Sequence, residues 1–388
     1  MIHSTRWATL FVVAASLISL PAFGADDPTA KAQDLVDKGL TFLKAQQKPD
    51  GGWQTGEEPP AISAIILKAF VQSPKFDSKT DFVAKGYQKL LSYQLDNGGV
   101  YKDLLANYNT AIAVSSLAAA DDPALKPALD KAVAYLKGLQ FTESSPPGPK
   151  GEKVADKSST WYGGAGYGRH GRPDGSNTQV MLDALKDAGL KESDPSFQAA
   201  LVFITRMQNR SESNDQKWAG EDGGFTYTPA NNGESMAGEY TGPDGKRLLR
   251  SYGSMTYAGL KSMLYAGLTK DDPRVKAAWD WITKNWTLEE NPGMKLNKPE
   301  AARNGLYYYY HTLARALNAY NEPVLTDSKG DKHDWRLELI QKLTSVQKSD
   351  GSWEGDKRWM EEKPLLATAY AVLALQEVIA DLKEHPAK

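Results

Sequence analysis

The side chains best suited to chemistry gather where helical patterns begin. One stretch reads Pro173-Asp-Gly-Ser-Asn-Thr-Gln-Val180, with Arg169-His170-Gly-Arg172 just ahead of it. Asp174 is the candidate catalytic acid, but the stretch supplies no second carboxylate to raise its pKa. It is therefore expected ionised at neutral pH, capping the helix or pairing with Arg169 or Arg172. Two arginines beside a helix N-terminus can clamp a phosphate or carboxylate, and a solvated turn is the competing reading. Ser176, Asn177, Thr178 and Gln179 continue the polar run, and Tyr108 with Asn109 opens another helical pattern. Tyr252 and Ser254 open a third. Tyr307-Tyr-Tyr-Tyr-His311 places four aromatics on successive positions, so both sides of a helix must hold them, with Tyr310 and His311 as candidate ligand contacts. Each of these polar groups can instead cap a helix, and His311 suits a hydrogen-bonded structural role as well as that of a base.

Composition narrows the chemistry. The chain has 388 residues, 41% hydrophobic, a formal charge of -2 and no cysteine. Thiol nucleophiles, thioesters and Cys-containing zinc sites are excluded, no metal or cofactor is expected, and the absence of a basic stripe argues against nucleic acid. Residues 1–25 carry Arg6, an apolar run from Leu10 to Leu20 and small residues at Ala22 and Gly24. They are expected to be an export signal cut after Gly24 or Ala25. Residues 26–388 would then form one domain outside the cytoplasm, periplasmic or extracellular, without a later membrane anchor.

The elements that must position these residues repeat. Gln47-Lys-Pro-Asp-Gly-Gly-Trp53 returns as Gln347-Lys-Ser-Asp-Gly-Ser-Trp353. Looser copies join Gln94 to Gly98-Gly99-Val-Tyr101, Gln140 to Trp161-Tyr-Gly-Gly, and Gln208 to Asp222-Gly223-Gly-Phe225. An eroded copy runs from Asn285 to Asn291-Pro-Gly-Met294. Glycine supplies positive φ, the Asp side chain (Asp50, Asp222, Asp350) accepts from nearby N–H groups, and the Gln can bond the turn. The aromatic can plug the gap between two helices, as expected for Trp53, Tyr101, Phe225 and Trp353. Gln47, Gly51 and Gln347 complete the joint residues.

Helical patterns flank each turn in pairs. The first of a pair has one apolar face, and the second is apolar all round: Ile62–Val71 holds only Lys68, while Thr110–Ala120 and Leu365–Gln376 hold no charge. Helices apolar all round are buried all round. Six pairs are expected, with outer helices near 30–47, 79–94, 124–140, 195–208, 273–286 and 334–347, and inner helices near 60–72, 107–119, 176–188, 251–267, 303–319 and 364–381. A closed ring explains the buried set better than a flat solenoid. Asp121-Asp122 and Asp271-Asp272 read as helix caps before proline rather than as a metal motif. The loop 211–250, rich in glycine and acids, is long enough to line a site.

The Gln…Asp-Gly-x-Trp turns and the outer-then-inner order resemble the prenyltransferase and squalene-hopene cyclase repeat over nearly all of residues 26–388. The resemblance implies an all-α fold, an α/α toroid of six inner and six outer helices, with a cavity at one mouth. It also implies that Asp174–Thr178 stands where those cyclases carry Asp-x-Asp-Asp-Thr-Ala. Asp174 and Thr178 match, but Ser176 replaces the central, proton-donating Asp and Asn177 the next, and neither can protonate an alkene. The prenyltransferase zinc site is missing with its Cys. The expectation is an exported toroid holding a small molecule in its cavity, an isoprenoid or a glycan, without standard cyclase chemistry. The alternatives are an enzyme of this fold and a protein-interaction scaffold. The enzyme would be an isoprenoid cyclase or transferase with a relocated acid, or a glycan lyase or hydrolase using Asp174, Asp222, Glu234 or Glu239.

Overall fold

The computed structural model describes residues 27–54, 56, 58–168 and 171–387. The expected export signal and Arg169 lie outside the described residues. Six helices form the outer layer: α1 (Pro28–Ala45), α3 (Asp81–Leu91), α5 (Lys126–Leu139), α7 (Pro195–Met207), α9 (Pro273–Lys284) and α11 (Trp335–Val346). Six form the inner layer: α2 (Ala61–Val71), α4 (Ala106–Ala119), α6 (Gly175–Asp187), α8 (Gly253–Tyr265), α10 (Leu306–Tyr320) and α12 (Pro364–Glu384). Each inner helix packs on the next, and α12 returns to α2 and α1, so the layers close into an α/α toroid. Two short antiparallel hairpins, β1 (Glu239–Thr241) with β2 (Arg247–Leu249) and β3 (Val324–Thr326) with β4 (Lys332–Asp334), decorate the loops.

The repeated turn works as a two-sided clasp. The Gln47 amide donates to Gly51 O at 2.8 Å in its own turn and to Phe82 O at 2.7 Å in the next outer helix. Gln94, Gln140, Gln208 and Gln347 do the same, and Gln347 reaches Leu35 O, which joins the last repeat to the first. The first glycine of each clasp is required twice over. At Gly163 φ is +83°, and a Cβ there would stand 1.9 Å from Ala199 O of α7. Backbone touches backbone, so no side-chain rearrangement can make room.

A hydroxyl near the start of each inner helix completes five joints. Ser63, Thr110, Thr178, Thr256 and Thr368 accept from the N–H of Trp53, Val100, Ala165, Phe225 and Trp353 at 2.9–3.1 Å. Trp53, Phe225 and Trp353 are buried plugs as expected. The second joint differs from expectation, because Val100 fills the plug position and Tyr101 lies one residue on, stacked on Tyr135 at 5.9 Å. In the fifth repeat no Gln spans the seam. Instead the phenols of Tyr309 and Tyr310 donate to Thr287 O and Leu288 O, in the loop after α9.

Candidate functional site: a tyrosine-lined cavity

The N-terminal turns of all six inner helices surround a cavity of about 370 Å³. Its wall carries Tyr108, Tyr167, Tyr227, Tyr252, Tyr308 and Tyr370, with isoleucine, leucine and methionine side chains between them. Long loops supply part of this wall. Tyr227 and Met236 come from the 211–250 segment, which is fixed to the start of α6 by Gly175 N–H donating to Tyr227 O and by Thr228 Oγ1 donating to Pro173 O. Trp359 stands at the rim, 43% exposed.

Asp174 is almost wholly buried and caps α6. One carboxylate oxygen accepts from Asn177 N–H at 2.8 Å and the other from Asn177 Nδ2 at 2.9 Å. It does not line the cavity. Burial pushes its pKa up to about 6 against the hydrogen bonds from Asn177, a shift not expected, although the carboxyl stays mostly ionised at neutral pH. Desolvation alone did what a neighbouring carboxylate was thought necessary for. Arg172 pairs with Glu234 and lies over the Tyr227 ring at 5.5 Å, so it is engaged before any ligand arrives.

The other expected ligand contacts divide. Tyr108, Asn109, Ser176, Tyr252 and Ser254 line the cavity, and Ser176 Oγ lies 3.3 Å from the Tyr308 hydroxyl. Asn109 and Ser254 also carry structural bonds: Asn109 accepts from Ala61 N–H and Ser254 N–H donates to Asn291. Three predicted contacts belong elsewhere. Thr178 serves its joint, Asn177 binds Asp174 and Asn107, and Tyr310 spans the fifth seam. Gln179 donates to the Tyr308 hydroxyl at 2.9 Å and accepts from Lys261 at 2.8 Å. His311 faces a separate void of about 40 Å³ beneath the cavity. Burial, with Arg315, Lys261 and Lys68 nearby, holds its pKa well below the usual value, so it is neutral.

Below the tyrosines a buried ionic layer closes the ring. Lys261 meets Asp183 at 2.7 Å, Lys68 meets Asp187 at 2.7 Å, and Arg315 meets Asp187 at 2.8 Å. Glu377, 3.6 Å from Arg315, supplies the third carboxylate against the three cations, which makes the layer a compensated floor. Among the remaining candidate acids, Asp222 holds Gly224 N–H and Ser251 Oγ in its joint, and Glu239 pairs with Arg247 on the hairpin.

Sequence reasoning missed Glu361. It is 1% exposed, lines the cavity and caps α10 across 53 residues, accepting from Tyr308 N–H at 2.8 Å and Tyr307 N–H at 3.2 Å. Burial pushes its pKa up to about 7 despite those bonds. The available signal was negative: Gly305 stands at the N-cap of α10 and offers no side chain, so another acceptor had to arrive. Trp359 and Met360, with φ of +57° and +67°, turn the chain so that it does. Among the described residues no three His, Asp or Glu side chains cluster as metal ligands.

Comparisons with solved structures support this architecture. A type II terpene cyclase from Scytonema, solved with geranylgeranyl dihydroxybenzoate, is similar over 92% of this chain and 99% of its own, at 13% identity and a TM-score of 0.55. The cellobiose 2-epimerase of Spirochaeta thermophila covers 92% and 96% at 14% identity and 0.55. An unsaturated glucuronyl hydrolase specific for heparin covers 92% and 98% at 12% identity and 0.57. At these identities the likeness is one of fold. No protein-family profile matches the sequence, and no curated protein does.

Proposed function

We propose that this chain binds an apolar molecule of isoprenoid size in the tyrosine-lined cavity, without proton-initiated cyclisation. The observation that carries the reading is the wall itself: six tyrosines and aliphatic side chains, with Glu361 the only ionisable group among the described lining residues apart from the phenols. A pocket of that kind gains from burying hydrocarbon and uses its few polar groups to orient the ligand. At a packing density of about 0.74, a cavity of about 370 Å³ holds roughly fifteen carbons, the size of a farnesyl chain.

The similar folds include an enzyme with a geranylgeranyl-bearing substrate and two that act on sugars, so the fold does not choose between them. The wall does. Glycan hydrolysis needs two carboxyl groups flanking the scissile bond, and among the described residues one carboxyl lines the cavity while Asp174 is turned into its own helix. Cyclisation needs a strong acid aimed at an alkene. Asp174 has both oxygens occupied, and Glu361 at about 7 is far too weak.

Equilibrium dialysis of the purified chain against farnesol, geranylgeraniol and cellobiose tests the reading. Saturable retention of a prenol at one site per chain, displaced by the other prenol and not by cellobiose, is the expected result. Saturable retention of cellobiose with none of either prenol would overturn it.

A further inference from the structure

The polar end of that ligand can be read from which groups at the cavity are already satisfied. Six helix N-termini meet at its wall, and convergent N–H groups would ordinarily favour an anion. Here they have been answered from within. Ala61 N–H donates to Asn109, Asn177 N–H to Asp174, Ser254 N–H to Asn291, and the N–H groups of Tyr307 and Tyr308 to Glu361. Gly253 N–H donates to Pro292 O, Asn107 N–H to Tyr167 O and Leu366 N–H to Lys363 O. Among the described residues no lysine, arginine or histidine lines the cavity. An incoming phosphate or carboxylate would meet neither a cation there nor these amides.

The charge at the wall has the opposite sign. Glu361 is buried, and its hydrogen bonds come from backbone N–H groups of α10. The nearest candidate cation in sequence, Lys363, is paired with Glu58 at 3.1 Å instead. Most buried acids elsewhere in the ring are matched: Asp183 by Lys261, Asp187 by Lys68 and Arg315, and Asp381 by Arg336. Asp174 and Glu361 are held by neutral donors instead, and of these two only Glu361 lines the cavity. The aromatic surface beside it is dense, with the Tyr308 and Tyr370 rings meeting edge to face at 6.0 Å and Glu361 bonded to the backbone of Tyr308. A carboxylate that lines the same cavity as these phenol rings attracts a cation through its charge, and the rings do so through their quadrupoles.

We infer that the cavity selects an amphiphile with a cationic ammonium head, seated between Glu361 and the tyrosine rings, its hydrocarbon chain filling the remaining volume. The inference rests on the proposed binding of an apolar chain and names the head group that the same cavity prefers. An ammonium head would supply the counter-charge that Glu361 otherwise lacks, which turns the cost of a buried carboxylate into binding energy.

The test compares one chain length with two heads. Farnesyl trimethylammonium and farnesol are titrated into the full chain by isothermal calorimetry at about pH 8, where Glu361 is ionised, below the aggregation threshold of each. The wild-type chain is expected to bind the ammonium at least about tenfold more tightly than the alcohol, as a desolvated cation–π and ionic contact allows. In Glu361→Gln, with its fold checked by circular dichroism, the two affinities should fall within about threefold of each other once the charge is gone. Equal affinities in the wild-type chain, or an ammonium preference unchanged in Glu361→Gln, would overturn the head-group inference while leaving the apolar cavity standing. Failure of both molecules to bind the wild-type chain would overturn the underlying reading itself. Should Glu361→Gln fail to fold, the wild-type comparison alone decides, since parity there refutes the inference.

Discussion

Replacing Glu361 by glutamine should change how stability depends on pH, and the size of the change follows from its surroundings. In the folded chain burial raises this carboxyl from 4.5 to about 7. Between those values the folded state holds a proton that the unfolded state has released. The group therefore contributes most below pH 4.5, and its contribution falls as pH climbs to 7, after which it is level. Between about pH 5 and 8 that amounts to about 2–3 kcal/mol, at roughly 1.4 kcal/mol per pH unit. Asp174 moves in the same direction, from 3.8 to about 6, but it is present in both proteins and cancels in their difference. The Glu361→Gln substitution also leaves one N–H of Tyr307 or Tyr308 facing an amide NH2, which shifts the whole curve down by about 1–3 kcal/mol without tilting it. Urea denaturation at about pH 5, 6, 7 and 8, followed by far-UV circular dichroism, measures both. The variant should lose its deficit relative to wild type as pH rises. A stability difference that stays constant across that range would show that Glu361 is not held protonated by burial, and the reasoning would fail.

Four further outcomes are expected. Gly163→Ala should cost at least about 3 kcal/mol in urea denaturation, because it combines positive φ with a backbone clash at Ala199 O; a cost below about 1 kcal/mol would deny the clasp. Lys261→Met should destabilise by about 3–5 kcal/mol by leaving Asp183 with only the more distant Arg315 at 3.9 Å, and adding Asp183→Leu should recover part of the loss; no recovery would mean that the cost lies in packing. Purified chain incubated with squalene or farnesol should give no cyclised product by gas chromatography; product above a heat-killed control, abolished by Asp174→Asn, would restore the acid motif. We also propose that residues 1–25 direct export, so mass spectrometry of secreted material should find Ala25 or Asp26 first, and an intact N-terminus in a membrane fraction would count against it.

The joints and the ring could be read in the sequence because their causes are local. A Gly-Gly turn after a Gln and before an aromatic fixes backbone angles, a clasp and a plug within a few residues, and every helix fell close to its expected span. Where the pattern was eroded the reading slipped. Val100 rather than Tyr101 plugs the second joint, and two α10 phenols replace the missing fifth Gln. The site was less legible. Ser176, Tyr108 and Tyr252 face the cavity as their places at inner-helix starts suggested, yet Thr178 near Ser176 faces the joint, since successive helical positions point roughly 100° apart. Glu361 was invisible because its role is defined by a helix 53 residues upstream, and its raised pKa by burial, neither of which spacing encodes. The ordinary pull of helix starts on anions acts here on donors that are already occupied.

The bond from Gln347 to Leu35 has a consequence for how the molecule comes apart. An open array of repeats frays from its ends, because a terminal unit is held by one neighbour only. Here α12 touches both α1 and α2, so no repeat is terminal and removing any one breaks two interfaces at once. Unfolding should therefore be all-or-none rather than stepwise. During synthesis the same geometry delays closure, because the first outer helix waits for partners that lie more than 300 residues further along the chain. The first and last repeats also become neighbours in space at the seam. Joining the chain ends there and reopening the backbone in a loop between two other repeats would preserve every interface while exchanging which helices are made last.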